Sequence, residues 1–562
     1  MFAVAPGGIR GQLKPMGQAR PRSSAIHGVL LAAVTLAVLL PFLGKALHID
    51  DPLFVWCARH LQSHPFDFYG FKVNWDGWLA PMSEVTQNPP LAAYYLALVG
   101  AVLGWSETAL HTGFLLPAVA MVLGTYHLAR SFCSHAGWAA LATATAPVFL
   151  VSSTSVMCDT VMVAFWVWTV HFWLTGLKTG SQVKLSVAVL LAAACCLTKY
   201  FGLALLPLLL AASWLEQRRV GWWVAYLAVP VFAFGLYHYL AYRLYGQGFL
   251  LNAISYAANL RVGGGFPTKI LTGLAFSGGC MIILLVAAPL LWTWRGLAVG
   301  VPAAILIGLG IAVTRNVGDF PVVESGHVKW LFVVQLALLV VAGASLFVLA
   351  IADWLTHRTA ASALLFLWVG GTFVFVCALN WTVSGRNVLP MLPAVALLVI
   401  RRLEHRRCFD RRAVFLCCGG ALGISLAIAL LAAYADFALA NSARTAATEL
   451  MNKLGATSNG VAFEGHWGFQ YYMEQQGARP LEREDLRLMP NEAIVVPAGN
   501  SYLFSLPRER VEDWFTYQAN VANWLSTMNG DMGAGYYSDG WGPLPFVFGA
   551  VPVEEYRVFR VK

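Results

Sequence analysis

From residue 25 to residue 434 the chain alternates long apolar runs with short polar breaks. Many of the runs reach the roughly 20 helical residues that cross a bilayer's hydrocarbon core. The pattern predicts helices near 25–47, 109–130, 136–153, 160–177, 184–198, 200–215, 221–242, 275–294, 297–314, 329–351, 360–380, 388–400 and 413–434, about thirteen spans by the length criterion. Beyond residue 434 the pattern changes. ARTAATELMNKLG predicts a helix closed by Gly455. GVAFEG, EAIVVPAG and EEYRVFRVK predict strands with turn residues between them. The expected protein is an all-α polytopic membrane protein with a small C-terminal α/β domain. Its expected parts are a basic segment 1–24, a transmembrane region 25–434 and the α/β domain 435–562.

Composition agrees with the pattern. Of 562 residues, 58% are hydrophobic and 12% charged, against about 25% charged in soluble domains. The net charge of +9 sits in short loops, where Lys and Arg set topology, so it is not a sign of nucleic-acid binding. With a cytoplasmic N-terminus carrying Arg10, Lys14, Arg20 and Arg22, every even-numbered span ends in a basic loop. These loops hold Arg130, Lys178 with Lys184, Arg218-Arg219, Arg295, His357-Arg358 and the run RRLEHRRCFDRR at 401–412. An odd number of spans then places the tail outside. The first run is too long for a signal-peptide core and lacks a clear cleavage site, so it is expected to stay as an uncleaved helix. The expected location is the inner (plasma) membrane. The ten cysteines lie mostly within apolar runs and show no metal-type spacing.

Three segments are expected on the external face: about 48–108, SSTSVMCDT at 152–160, and about 243–274. NPPLAAYYLALVG in the first is apolar but short and opens with Pro89-Pro90, which suits a helix start. It is expected to lie in or dip into the interface rather than span. HIDDP puts Asp50 and Asp51 directly after the first span. Asp159 precedes the fourth. Lys199 falls between the fifth and sixth spans, Arg386 at the start of the twelfth, and Arg261 in the third external segment. Acids and bases thus gather at one membrane face. A carboxylate there can take a proton from an acceptor, and Lys or Arg can hold a phosphate and stabilise its charge. The same residues have plainer uses: the aspartates as helix caps, Lys199 as a snorkelling side chain, Arg386 as an interface anchor, and Arg261 as a solvated loop charge.

The order of these features resembles a known family. It comprises an acidic pair after the first helix, a Pro-opened interfacial helix with aromatics, an Asp opening the fourth helix, a Lys between the fifth and sixth, and a late Arg-x-x-x-Pro. The pattern is similar to the GT-C-type glycosyltransferases, and among them to the protein O-mannosyltransferase and aminoarabinose-lipid A transferase group. The resemblance covers most of 25–434 and is best in 48–100, 155–210 and 384–400; the tail resembles the external α/β domain of some members. It implies a polyprenyl-phosphate sugar donor, an extracytoplasmic acceptor and inversion by single displacement. It implies Asp50, Asp51 and Asp159 as catalytic residues, and Lys199 and Arg386 in the donor-phosphate pocket, with Arg261 as a further candidate. Two positions depart from the group's pattern. Its acidic pair is usually Asp-Glu, and Asn88 stands where some relatives carry a Lys before the Pro.

The competing class is a transporter or lipid flippase, in which charges mark a translocation path through the membrane. The apolar midplanes and the lack of an internal repeat favour the enzyme. No cofactor motif is present. Glu84, His60, His64 and His111 keep a divalent metal open, although their spacing is irregular.

Overall fold

A computed structural model describes residues 21–86, 88–259, 262–410, 412–455 and 459–562. Each of the thirteen expected stretches is occupied by helix, though not each by one long unbroken helix. Among the described residues nine helices are long and apolar enough to cross a membrane, or ten if one bent pair counts as a span. The other stretches are broken or short. Residues 136–153 bend by 59° between Ala136–Ala144 and Pro147–Ser153, where Pro147 cannot donate to a continuing helix. Gln182–Thr198 has 17 residues and Leu392–His405 has 14. The expected span 275–294 is a helix Phe266–Cys280 followed by two single turns, so 266–274, expected as loop, is helical. Apolar composition does not register such breaks. Leu91–Leu103 is a separate 13-residue helix, roughly 20 Å long and too short for the roughly 30 Å hydrocarbon core.

The expected basic loops meet at one end of the bundle. Arg401 pairs with Asp353 at 2.9 Å and also bonds the Phe132 carbonyl. Glu404 accepts from the backbone N–H groups of Ser134 and His135, and Arg402 donates to the Leu291 carbonyl.

At the other end the tail begins without a break. The helix Arg412–Leu454 has 43 residues, roughly 65 Å at 1.5 Å per residue, twice what a bilayer needs. Its upper half carries a five-stranded sheet ordered Val511–Ala519, Glu554–Val561, Ala493–Pro497, Val461–Phe463, Arg479–Pro480. The three expected strands are present, and Val511–Ala519 is added at the edge, antiparallel to Glu554–Val561. A helix, Trp467–Gln475, packs against the long helix and sends Phe469 under the sheet.

The tail is bolted into the membrane region. Asp539 pairs with Lys269 at 2.8 Å, both buried. It also accepts from the Thr382 hydroxyl and the Val383 N–H. The Tyr536 carbonyl accepts from the Gly385 N–H, and the Tyr536 hydroxyl bonds Ser152 at 2.7 Å. A side chain at Gly385 would run into the Tyr536 ring. One apolar core therefore includes Phe463, Phe469 and Tyr536 together with span residues such as Trp166 and Trp368.

Glu464, directly after the strand Val461–Phe463, gives the tail a pH dependence. Its Oε2 accepts from the Phe504 N–H and its Oε1 has no hydrogen-bond partner. Burial pushes this carboxyl from 4.5 up to about 7. A group that holds its proton more tightly folded than unfolded contributes stability that is present at acid pH and lost as pH rises between those two values. Between pH 4.5 and 7 Glu464 pulls the melting temperature down while the buried His466 pulls it up over part of the same range, so Glu464→Gln is expected to make the slope of melting temperature against pH more positive. A slope unchanged by the substitution would assign it to another group.

Candidate functional site

The first span ends at Phe42 in a 3-10 turn, and the chain then turns through Leu47-His48-Ile49 into the helix Asp51–Ser63. That turn is strained. Ile49 is β-branched and buried, yet sits at φ +48, a region such residues avoid. The strain is held by docking from the tail. The Leu47 N–H donates to the Tyr472 hydroxyl at 2.8 Å. Gly468 lies so close that a side chain there would overlap the Leu47 carbonyl oxygen.

The strained turn gives the two aspartates different surroundings. Asp50 occupies the N-cap position of the helix but makes no capping bond with its side chain. Its carboxylate, about a third exposed, pairs with Arg386 at 2.9 Å. Asp51 is fully buried. It accepts from the His48 N–H at 2.9 Å and the Val156 N–H at 3.0 Å. Asp51 thereby ties the HIDD turn to the segment that carries Asp159. Burial pushes its carboxyl up to about 7, against the pull of Lys45 and the two N–H groups.

Asp159 lies in the first turn of the helix Cys158–Thr179. Its Oδ1 accepts from Lys199 at 2.6 Å, and its Oδ2, 4.0 Å from Arg386, has no hydrogen-bond partner. Lys199 stands where Gln182–Thr198 ends and a 3-10 turn begins. It also donates to Asn387 Oδ1 at 3.1 Å. Arg386 sits in the single turn Gly385–Val388, capped by the Ser384 hydroxyl. It touches Met157 Sδ at 2.6 Å and lies over the Tyr537 ring. Its Nε has no hydrogen-bond partner. Burial disfavours the charge on Arg386, but Asp50 and Asp159 more than reverse this and hold it firmly protonated.

Four of the residues singled out in the sequence therefore form one linked cluster: Asp50, Arg386, Asp159 and Lys199. Two carboxylates face two cations. Asp51 lies behind the cluster, and Arg261 lies outside the described residues. Glu84, His60, His64 and His111 do not converge. His60 stacks on His64, and His111 lies between the carbonyls of Glu107 and Thr154. Among the described residues no group of three His, Cys, Asp or Glu side chains is placed to hold a metal ion.

The structure adds residues that carried no sequence signal. Asp76, in the first external segment, has its carboxyl raised by burial, and the phenol of Tyr502 from the tail opposes the shift. Tyr502 is linked in turn to Tyr256, and the charge of Asp50 is felt at both phenols. Tyr537, also of the tail, separates Arg386 from His48, whose ring meets it edge-on at 5.4 Å. These contacts join positions hundreds of residues apart, so spacing could not reveal them.

Comparison with known proteins bears on this cluster. Residues 87–238 match the model of a family described as dolichyl-phosphate-mannose-protein mannosyltransferase. No curated protein matches. Among solved structures, the chain aligns with ArnT from Cupriavidus metallidurans bound to undecaprenyl phosphate, at 14% identity and TM-score 0.46, over 85% of this chain and 94% of that one. It aligns with the Archaeoglobus fulgidus oligosaccharyltransferase at 13% identity and TM-score 0.46, over 82% and 65% of the two chains. It aligns with the arabinosyltransferase EmbB of Mycobacterium smegmatis at 15% identity and TM-score 0.35, over 76% and 43%. The stretch that carries Asp159 and Lys199 is thus similar to the dolichyl-phosphate-mannose-protein mannosyltransferases, which supports the reading of this chain as a GT-C-type membrane glycosyltransferase.

Proposed function

We propose that the chain transfers a sugar from a polyprenyl-phosphate donor to an acceptor on the extracytoplasmic side of the inner membrane, with its N-terminus in the cytoplasm. The observation that carries the reading is the Asp50–Arg386–Asp159–Lys199 cluster at the end of the bundle opposite the basic loops. A donor held by a lipid tail reaches such a site from the bilayer, and no nucleotide-binding fold is needed.

The paired charges suggest how the site is primed. Without donor, Arg386 and Lys199 are engaged by Asp50 and Asp159. A donor phosphate competes for both cations, since Arg in particular binds phosphate through a planar fork. Arg386 then exchanges Asp50 for phosphate, and Asp50 is freed to act as base. It takes the proton from the acceptor hydroxyl. The acceptor oxygen bonds to the anomeric carbon as the carbon–oxygen bond to phosphate breaks, and the configuration inverts. The polyprenyl phosphate leaves with its charge stabilised by Arg386 and Lys199. Asp159 holds Lys199 in place, and Asp51 fixes the turn that presents Asp50.

The test uses purified protein in detergent with radiolabelled polyprenyl-phosphate sugars and follows slow release of sugar to water. Wild type is expected to release sugar from at least one donor. Arg386→Met is expected to raise the KM for donor by about 10- to 100-fold, the loss of a charge-assisted contact to phosphate. An unchanged KM would remove Arg386 from the donor pocket. No release from any donor, together with no donor binding, would favour transport over transfer.

A further inference from the structure

A second built site lies in the tail. A cavity of about 320 Å³ opens where the sheet, the long helix and the loop 528–541 meet. Its wall includes Trp467 and Trp541, with ring centroids 5.7 Å apart at 63°. Trp467 is held at φ +64, a costly conformation for an aromatic residue that the structure has to enforce. Asn529 and Glu554 add an amide and a carboxyl. Glu554 closes over Gly499, where a side chain would run into its Oε2, and burial alone pushes its carboxyl up to about 7. The floor includes His48, two residues before Asp50. His48 is only 6% exposed and its Nε2 has no hydrogen-bond partner. A buried polar nitrogen without a partner is costly, and a ligand hydroxyl at the floor of the cavity would meet that demand.

We propose that this cavity is a saccharide-binding subsite that holds a sugar unit of the acceptor beside the Asp50 cluster. A sugar ring presents C–H faces that pack on indole, and hydroxyls that both donate and accept. The amide, the carboxyl and the imidazole suit those hydroxyls. A quaternary ammonium group would use the indoles and the carboxyls of Asp531, Glu554 and Glu555 and leave His48 Nε2 unmet. The volume is at the small end for a ligand site, which suits one or two sugar rings. Position favours the acceptor. The Cα atoms of His48 and Asp50 are at most about 7.6 Å apart along the chain, and the Tyr537 ring touches both His48 and Arg386. The assignment to the acceptor rests on the transferase reading; the saccharide chemistry of the cavity does not.

The test is direct binding without donor, so it stands apart from the sugar-release assay. Full-length protein in detergent is examined by saturation-transfer NMR with mannobiose, galactobiose and arabinobiose. The same disaccharides on a single lipid chain are tested in nanodiscs, with tetramethylammonium and an unglycosylated Ser/Thr peptide as the other probes. At least one disaccharide is expected to bind wild type. Trp541→Ala and Gly499→Ala are expected to weaken it by about tenfold or more, the second by filling the cavity against Glu554. Binding in the free-sugar arm assigns a soluble glycan, and binding only in the lipid arm assigns a glycolipid; either supports the subsite. It is overturned if wild type binds no saccharide in either arm, binds only the cation or the peptide, or binds saccharide equally well in both variants while each melts like wild type. A protein that releases sugar from donor but fails here loses the subsite alone. One that binds saccharide here but turns over no donor loses the transferase reading alone.

Discussion

Asp50→Asn is expected to lower sugar transfer by roughly 10²- to 10⁴-fold, the usual contribution of a positioned general base. The structure makes this substitution a clean probe. Asp50 makes no capping hydrogen bond and is about a third exposed, so an amide of the same shape leaves the helix start and the core intact. Its partner Arg386 keeps Asp159 nearby. The loss is therefore expected in kcat, with donor KM no higher than wild type, because the amide no longer competes with phosphate for Arg386. That separates Asp50→Asn from Arg386→Met, where the change is expected in KM. Asp51→Asn gives a third pattern. Asp51 holds two backbone N–H groups inside the protein, so its amide is expected to lower the melting temperature as well as activity. Measuring kcat, KM and melting temperature for the three variants distinguishes base, phosphate ligand and turn-holding carboxylate. Full transfer by a well-folded Asp50→Asn protein would end the base assignment.

Lys45→Met is expected to destabilise the protein by about 3–5 kcal/mol, the cost of leaving one member of a buried ion pair alone. Lys45 lies just after the first span and pairs with Asp436 of the long helix at 2.5 Å, with neither side chain exposed. Asp436 also accepts from the Thr527 hydroxyl at 2.9 Å and the Tyr537 hydroxyl at 2.8 Å. Without Lys45, its charge would remain buried on two neutral donors. The pair fastens three pieces at one point: the chain leading to HIDD, the long helix, and the tail loop that carries Tyr537. The double substitution Lys45→Met with Asp436→Leu is expected to recover part of the loss, because it removes both buried charges while leaving the two hydroxyls without their acceptor. Thermal unfolding in detergent, followed as monodisperse protein remaining after heating, reads both. Wild-type unfolding in the Lys45→Met protein would mean that the pair adds no net stability.

These two tests fall on opposite sides of what the sequence made legible. Asp50, Asp159, Lys199 and Arg386 could be picked out because each is an ionisable residue at the edge of an apolar run. Charges are costly there, so they stand out against the background. Lys45 and Asp436 have the same character but were not singled out, because their partnership spans 391 positions. Asp76, Tyr256 and Tyr502 were invisible for a different reason. Asp76 lies in the mixed polar and aromatic stretch KVNWDGW, where a carboxylate is unremarkable, and its phenolic neighbour comes from the tail. The breaks inside the expected stretches escaped the sequence because composition is blind to them. Ala136–Ala144 and Pro147–Ser153 read as one apolar run, but the backbone bends between them.

The sequence by itself determined that the chain is a polytopic helical membrane protein with a strand-bearing tail, and that acids and bases collect near one end of the spans. Those features follow from composition and local order, through the cost of exposing polar backbone and charge to hydrocarbon. Only the tertiary structure decided which carboxylate meets Arg386 and which is consumed by the backbone. Asp50 and Asp51 are neighbours with the same chemistry. They part because Ile49 is forced to positive φ by a turn packed under Gly468 and Tyr472, more than 400 residues away. Only the tertiary structure, likewise, turned the tail from an appended domain into part of the site. Asp539 reaches the membrane region through a buried ion pair, Tyr536 through a close glycine contact and Tyr537 through its hydroxyl bond to Asp436, and such contacts depend on atoms meeting in space rather than on any pattern along the chain.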